Sequence, residues 1–206
     1  MADTSRIIGE VVLRLERSKK PIVCNISNRH AHLCGEHIEK LFGSGYKLKK
    51  TRDLMQPGEY ASSETLDLAG PKGILKKIRV LGPERKNTQV EISRTDCYTL
   101  GINAEVRDSG NINGTLGGRL IGPAGSVEIF QGIIVARRHI HMTGKDAAFF
   151  KVKDGQAVRI RTRPPRSVVF EDVIVRVSDK YVLECHIDTD EANACDLKSG
   201  MEVFLS

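Results

Sequence analysis

The sequence predicts a mainly β protein in which two β-barrel domains, related by internal duplication and capped by short α-helices, follow an N-terminal amphipathic helix. Segments rich in Val, Ile and Thr recur along the chain, and turn dipeptides such as Gly82-Pro83 and Gly122-Pro123 separate them. Short strands at such intervals favour barrels over an open α/β sheet. A histidine motif that occurs twice and a helical period near the N-terminus complete the pattern.

Five segments have the composition and the partial alternation of β-strands. They are residues 73–82, 88–93, 156–162, 167–177 and 181–185. Because β-branched side chains pack well on a pleated surface, we expect these segments to form much of the barrel walls. The last of them is predicted to end immediately before His186.

The first 18 residues have a different period. Five aliphatic residues recur there at helical spacing among charged ones: Ile7, Ile8, Val11, Val12 and Leu15. Pro21 cannot continue a helix, so the period ends before it. The segment is predicted to be an amphipathic helix that docks on the body of the protein, on another subunit or on a larger assembly.

An internal repeat divides the chain. Residues 24–33 and residues 135–142 each form a predicted strand that ends in Arg-His-x-His followed by an apolar residue. After the second copy, Thr143 and Asp146 form a predicted capping box for a short helix, whereas Cys34 holds the capping position after the first copy. The predicted domains are a helix over residues 1–20, a first barrel over residues 21–110 and a second barrel over residues 111–206.

Two histidine pairs predict a metal site. Side chains two residues apart on a strand project to the same side, so His30 lies beside His32. By the same rule His139 lies beside His141, and His186 adds a fifth imidazole at the end of another predicted strand. Imidazole is a preferred ligand of zinc and of other borderline divalent metals.

Five imidazoles fit two metal ions better than one, and a division into two and three leaves the first ion short of a ligand. Glu91, on a predicted strand, is the candidate for that place, and its alternative is an exposed strand glutamate. Neither ion would then be fully enclosed by protein, and open coordination positions are typical of catalytic zinc. The sixth histidine, His37, falls within a presumed helix and is predicted to lie at the surface.

Charge and composition narrow the function classes. The formal net charge is +6, but aromatic residues make up only 5% of the chain. Because single-strand nucleic-acid binders interleave aromatic with basic residues, a polyanionic small molecule or a solvated surface explains the positive charge better. No apolar run is long enough to span a bilayer, and the N-terminus does not resemble a secretory signal. We therefore expect an intracellular protein with reduced cysteines.

Four segments make the chain resemble the PduL-type phosphate acyltransferases, also called phosphate propanoyltransferases, along nearly all of residues 21–205. These segments are residues 27–33, 82–96, 136–142 and 186–193. The chain departs from the family pattern at Cys34, where the family tends to place serine. The resemblance implies two helix-capped β-barrel domains with a dinuclear zinc site between them.

The resemblance also implies site residues and a reaction. It implies that His30, His32 and Glu91 hold one zinc and that His139, His141 and His186 hold the other. Arg85 matches the family's phosphate-binding arginine and is the implied catalytic residue. Coenzyme A contacts are implied at Ile26, Ser27, Asn28, Lys72, Arg79 and Asn193. The implied reaction interconverts acetyl-CoA or propionyl-CoA plus phosphate with acyl phosphate plus coenzyme A by direct transfer, without an acyl-enzyme.

Other functions stay open at this point. A zinc hydrolase would release coenzyme A without phosphate, and a nucleic-acid-binding barrel would hold closed structural zinc. The expected partners are acyl-CoA and phosphate, with no nucleic acid and no membrane, and a homo-oligomer, most simply a dimer, is expected. Some family members carry a short helix that directs them into bacterial microcompartments. Residues 5–18 are therefore predicted either to contact shell or cargo proteins or to mediate self-association, and the predicted location is the cytoplasm or a microcompartment.

Overall fold

The computed structural model describes residues 2–206. In this part of the chain the helices are α1 (Ala2–Ser18), α2 (Gly35–Phe42), α3 (Arg94–Leu100), α4 (Gly144–Phe150) and α5 (Thr189–Ala194). The strands are β1 (Ile22–Ser27), β2 (His30–His32), β3 (Lys50–Asp53), β4 (Tyr60–Ala69), β5 (Ile74–Gly82), β6 (Gln89–Glu91), β7 (Val106–Arg107), β8 (Leu116–Ile121), β9 (Ser126–Ala136), β10 (His139–Met142), β11 (Ala157–Arg161), β12 (Val169–Val177), β13 (Glu184–Asp188) and β14 (Met201–Leu205).

The chain divides into two compact units. The central unit consists of Ser27–Arg137 together with Asp188–Asp190. The terminal unit consists of the segment that ends at Ile26, of Arg138–Ile187 and of Glu191–Ser206. The two units are described separately below.

The central unit is a closed barrel. Its strands pair in the order β4, β5, β2, β6, β9 and β8, and β8 pairs with β4 again, which closes the ring. Strand β3 extends the sheet beside β4, and β7 pairs with β9. Alternating strand residues such as Leu66, Leu68, Ile78 and Val80 are buried inside, where they form one hydrophobic core.

The terminal unit is a second closed barrel, with the strand order β1, β13, β10, β12, β11 and β14. The pairing of β1 with β14 closes it. Its core contains Ile22, Ile140, Phe150 and Val175. These two barrels, their short helices and the N-terminal helix confirm the predicted fold class.

Both barrels repeat one strand plan, as the predicted duplication requires. In each, the histidine strand lies between a parallel and an antiparallel neighbour: β2 between β5 and β6, and β10 between β12 and β13. Each parallel neighbour also carries a bulge against the strand on its other side. At these bulges Lys77 has φ 56° and Asp172 has φ 55°, a left-handed conformation that is uncommon outside glycine.

The units differ from the continuous ranges 21–110 and 111–206 expected from the sequence. Strand β1 directly precedes β2 in the chain but closes the barrel of the terminal unit. Strand β9 directly precedes β10 but belongs to the barrel of the central unit. The first half of the sequence thus gives β1 to the barrel of the terminal unit, and the second half gives β8 and β9 to the barrel of the central unit. Periodicity within a strand carries no information about which sheet the strand joins.

Short helices follow the histidine strands, and their N-termini match the predicted caps. Thr143 and Asp146 form the predicted capping box of α4, and the Asp146 carboxylate also accepts a hydrogen bond from Lys20 Nζ at 2.6 Å. Cys34 is the N-cap of α2 but makes no side-chain hydrogen bond to the helix. The structure adds a capping box at α3, between Ser93 and Asp96, that the sequence reading missed.

Helix α1 forms as predicted and is part of the terminal unit. The Arg17 guanidinium donates hydrogen bonds to the Phe150 carbonyl, with N–O distances of 2.9 and 2.7 Å. The five aliphatic residues of the predicted stripe are 50–59% exposed, so docking of this face on another subunit or assembly stays a prediction. Among residues 2–206, no helix is both long and apolar enough to cross a membrane.

Candidate metal centres

The first cluster consists of His30, His32 and Glu91 in the central unit. His30 and His32 point to the same side of β2, and Glu91 on β6 is the residue directly opposite His30 in the antiparallel pair. Only 3–8% of the surface of these residues is exposed. One potential ligand atom from each lies within 4.8 Å of the others. The structure therefore brings together the three predicted ligands.

Hydrogen bonding selects the nitrogen with which His30 can bind a metal. Its Nδ1 lies 2.8 Å from the Asn28 carbonyl oxygen, and a carbonyl only accepts, so Nδ1 carries the proton. The Nε2 lone pair is then directed to the cluster, where Nε2 lies 3.5 Å from Glu91 Oε2. Two ligand atoms on one tetrahedral zinc, each about 2.0–2.1 Å from the ion, are about 3.3 Å apart. His32 Nδ1 is buried without a hydrogen-bond partner.

Electrostatics favours the metal-binding protonation state of His32 and Glu91 but not of His30. Burial alone would lower the pKa of His30, but the charge and hydrogen bond of Glu91 raise it above its usual value. Burial alone would raise the pKa of Glu91, but the charge and hydrogen bond of His30 hold it far below its usual value. Burial, reinforced by His30 and Arg85, holds the pKa of His32 well below its usual value. At neutral pH the cluster therefore offers an ionised carboxylate and a neutral imidazole.

The second cluster consists of His139, His141 and His186 in the terminal unit. His139 and His141 lie on β10, and His186 on β13 is directly opposite His139. The ring centroid of His186 is 5.0 Å from that of His139 and 5.3 Å from that of His141. The prediction that the strand ends at Cys185 was wrong: β13 begins at Glu184, and pairing with β10 carries it through His186.

This cluster also contains buried nitrogens whose bonding capacity is unused. His141 Nδ1 and His186 Nε2 have no hydrogen-bond partner. Burial, together with His139 and His186, lowers the pKa of His141 to about 3, so its imidazole is neutral at physiological pH. Tyr181 stacks on the His141 ring, with 4.3 Å between centroids and 12° between planes, and so fixes its orientation.

The two clusters are the same construction with one exchange. In each, two ligands at i and i+2 share a strand, and the third faces the first of them across an antiparallel pair. That third position holds Glu91 in the central unit and His186 in the terminal unit. Convergent buried nitrogens without hydrogen-bond partners, with or without a carboxylate, fit zinc or a similar borderline ion.

Arg85 lies next to the first cluster. Its backbone N–H donates to the carbonyl of Leu33, which follows His32, at 2.9 Å. Its Nη2 is 2.9 Å from Glu59 Oε1, and its Nη1 is 3.5 Å from Ser109 Oγ. The guanidinium thus lies beside the cluster with its orientation set by a carboxylate and a hydroxyl.

Sequence reasoning missed three polar residues at this site: Glu59, Gln89 and Ser109. Gln89 Nε2 donates to Glu91 Oε1 at 2.6 Å and to Ser109 Oγ at 2.9 Å, so it orients the carboxylate. Gln89 could have been found, because it precedes Glu91 by two residues and must share its face of the strand. Ser109 lies next to the predicted boundary between the barrels, at residues 110 and 111, and no sequence pattern marks it as a site residue.

The predicted coenzyme A residues fall in different places. Arg79 on β5 pairs in register with His30 and donates from Nη1 to the carbonyls of Ser62 and Ser63 at 3.0 and 2.8 Å. Asn28 is exposed and precedes His30 by two residues. Lys72 precedes the first residue of β5 and lies about 15 Å or more from Arg79 along the strand direction.

The remaining predicted contacts are less closely tied to the first cluster. Ile26 and Ser27 end β1 and are half-buried. Asn193 is exposed on α5 in the terminal unit. The sixth histidine, His37, lies in α2 as predicted and is half-buried rather than fully exposed, with its Nδ1 2.8 Å from Thr88 Oγ1.

Comparison with known proteins gives this geometry a family. A family model described as phosphate propanoyltransferase matches residues 23–198. The chain belongs to the phosphate propanoyltransferase family. It is 48% identical to a phosphate propanoyltransferase of Thermotoga maritima over 195 residues, which cover 94% of this chain and 93% of the relative. It is 44% identical to one of Enterococcus faecalis over 202 residues, covering 98% and 96% of the two chains. A third, from Citrobacter freundii, is 49% identical over 180 residues, or 87% and 85%.

These relatives confirm the family that the sequence motifs indicated. Phosphate propanoyltransferases are acyltransferases, and the matched region contains both clusters and Arg85. Residues 2–22, which include α1, precede the matched region of this family member. The match therefore supports the barrels and their clusters and leaves the role of α1 to separate tests.

Proposed function

We propose that this chain transfers an acetyl or propionyl group between coenzyme A and inorganic phosphate, in either direction. The observation that carries the proposal is the pair of register-matched ligand clusters in a chain of the phosphate propanoyltransferase family. The same observation supports two zinc ions per chain, one at His30, His32 and Glu91 and one at His139, His141 and His186. When bound, zinc supplies a Lewis acid for the carbonyl oxygen and a soft acceptor for the thiolate of coenzyme A.

Arg85 is the phosphate-binding and catalytic residue of this proposal. A guanidinium presents paired N–H donors whose spacing matches two oxygens of phosphate, and an ammonium cannot reproduce that pair. Glu59 and Ser109 orient the group next to the first cluster, so phosphate bound by Arg85 would lie beside the ligands of that cluster. Glu59 is itself an oxyanion on Arg85, which supports the site's ability to bind an anion.

The positive charge around the first cluster supports a nucleotide thioester as the second substrate. Arg79 lies opposite His30, and Ser27 and Asn28 precede it, so a chain of coenzyme A could pass along this edge with its thioester at the cluster. Ile26 belongs to the same strand end, and we propose that Lys72 and Asn193 contact more distant parts of coenzyme A. In this arrangement the thioester end of coenzyme A lies at the first cluster, and exposed basic and amide side chains bind its nucleotide.

The cysteines support direct transfer rather than an acyl-enzyme. Four of the five free cysteines are buried, the exception being Cys34. A hydrogen bond with Cys24, together with burial, raises the pKa of the Cys185 thiol well above its usual value, and burial raises that of Cys195. A thiol that resists ionisation is a poor nucleophile. Phosphate bound by Arg85 is then the attacking group.

The decisive experiment follows free thiol release from propionyl-CoA or acetyl-CoA with and without phosphate. We expect release that requires phosphate, that a chelator abolishes and that added zinc restores, with two zinc ions per chain by metal analysis. His32→Ala should lose this activity. His37→Ala is the matched control, since it removes the histidine that lies outside both clusters, and it should retain the activity.

A zinc hydrolase is the competing function, because open metal sites can also activate water. Phosphate-independent release would establish that function and contradict the proposal. If thiol release depends on phosphate but continues after chelation, the transferase activity would be supported and a role for zinc in it would be excluded. Equal loss in the His32→Ala and His37→Ala variants would mean that the first cluster is not the site of the reaction.

A further inference from the structure

A buried carboxylate, Glu184, lies directly beside the second cluster. It is opposite His141 in the pairing of β13 with β10, and only 2% of its surface is exposed. The Asn25 side chain donates a hydrogen bond to its Oε1 at 2.6 Å. A carboxylate this deeply buried requires compensation by hydrogen bonds or by positive charge.

The other carboxylate oxygen faces the metal-binding nitrogens. Glu184 Oε2 lies 3.3 Å from His186 Nε2, and that nitrogen is one of the buried ring atoms without a hydrogen-bond partner. The corresponding separation in the first cluster, between Glu91 Oε2 and His30 Nε2, is 3.5 Å. The carboxylate of Glu184 is therefore as close to His186 as the carboxylate of Glu91, the acidic member of the first cluster, is to His30.

The duplication makes the position of Glu184 informative. Its counterpart in the central unit is Gln89, which is opposite His32 in the same way. Gln89 is neutral and donates a hydrogen bond to Glu91. Each barrel thus carries one carboxylate among the two residues that face its histidine pair, but at a different one of the two positions.

A carboxylate at position 184 would compensate part of the charge of a metal ion at the second cluster. Three neutral imidazoles would leave the full +2 charge of a divalent ion in a site whose ligands are half-buried. Glu184 reduces that charge to +1, the same net charge that Glu91 gives the first cluster. Groups just outside the ligands of a metal typically change its affinity about 10- to 100-fold.

We propose that Glu184, whose buried carboxylate is held by Asn25 beside His186 Nε2, neutralises part of the charge of a metal at the second cluster and so strengthens its binding. This inference rests on the proposed function, because it requires that the second cluster bind zinc. It assigns Glu184 no contact with a substrate. Its effect is on the strength with which the cluster holds the metal.

The test is a zinc competition titration against a chromophoric chelator, using the full chain in a His32→Ala background so that the second cluster dominates the measurement. Glu184→Gln in this background is expected to bind zinc about 10- to 100-fold more weakly. Glu202→Gln is the matched control. It makes the same change of charge in the same unit, at a carboxylate that is 40% exposed and pairs with Arg163, and it should bind zinc as the background does.

Each result has one meaning. Unchanged zinc affinity in Glu184→Gln would overturn the inference while leaving the proposed function intact. Absence of zinc binding in the His32→Ala background would remove both the metal of the proposed function and the inference. If Glu184→Gln does not fold, as judged by circular dichroism of the zinc-free protein, Glu184→Asp replaces it. That variant keeps the charge but withdraws it from His186 Nε2, so it should bind zinc more weakly than the background, and zinc affinity equal to the background would overturn the inference.

Discussion

Arg85→Lys tests how phosphate is bound, because it keeps the positive charge and removes the paired donors. In the structure Nη2 of Arg85 pairs with Glu59 at 2.9 Å, so the remaining N–H groups of the guanidinium are available to bind phosphate. Lysine has a single ammonium that cannot serve both Glu59 and two phosphate oxygens with the same geometry. We therefore expect the variant to lose one charge-assisted hydrogen bond to phosphate.

The magnitude follows from that one bond. A hydrogen bond to a charged group contributes about 1.5–3 kcal/mol. At about 1.4 kcal/mol per factor of ten, kcat/KM for phosphate should fall about 10- to 150-fold. The KM for acyl-CoA should change by less than about two-fold, because Arg85 is not among the residues proposed for coenzyme A.

The assay measures initial rates of thiol release while phosphate is varied at saturating acyl-CoA, and then the reverse. Arg159→Lys is the control, since Arg159 is also an arginine with a 2.9 Å carboxylate pair, to Glu171, but lies on β11, which pairs with β12 and β14 and with neither histidine strand. An equal loss for the two substrates, or no loss for phosphate, would refute the assignment of phosphate to Arg85. A similar loss in Arg159→Lys would attribute the effect to stability instead.

Two further predictions concern the caps of the helices that follow the histidine strands. Cys34→Ser should stabilise the protein by about 0.5–1 kcal/mol in urea unfolding and leave transfer activity intact, because serine caps a helix and the thiol makes no cap bond; a loss of stability would contradict this. Asp146→Asn should cost about 1–2 kcal/mol at neutral pH. Burial would raise the pKa of Asp146, but hydrogen bonds from Lys20 and Thr143 lower it. The stabilisation that the Asp146 carboxylate provides is therefore present above its unfolded pKa, and it is lost as the pH falls through the lowered folded pKa. A cost that persists at low pH would show that the charge is not its source.

The metal ligands were predictable because both rules that place them are local. Alternation on a strand brings His30 to the side of His32, and the repeat of the motif shows that this is not chance. Glu91 and His186 were predicted from the number of ligands and from the end of a predicted strand, and the family resemblance then implied the same two residues. Both bounds of the strand that carries His186 were wrong: residues 181–185 were expected, whereas β13 spans Glu184–Asp188, and its pairing with β10 includes His186.

The residues around Arg85 were not predictable in this way. Glu59 precedes Arg85 by 26 residues and Ser109 follows it by 24, and no periodicity relates such positions. Neither could the sequence show that β1 and β9 join the barrel of the opposite half. The composition of a strand indicates that it forms a pleated, partly buried surface, whereas the strand with which it pairs depends on long-range packing.

Under the proposed function, the duplication would let one arrangement of side chains serve two chemical roles. Backbone hydrogen bonds hold β2 against β6 and β10 against β13 in the same register, so the residue facing the first histidine can change without altering the sheet. In the central unit that residue is Glu91, an anionic ligand, which makes the cluster a weaker Lewis acid. In the terminal unit it is His186, a neutral ligand, and the negative charge of Glu184 lies one step away on the facing strand. If both clusters bind zinc as proposed, three neutral donors would leave the stronger Lewis acid at the second cluster, which would suit the carbonyl oxygen of the thioester. The first cluster then suits the thiolate, which binds zinc well without that extra charge, and the difference between Glu91 and His186 is the feature of the chain that distinguishes the two.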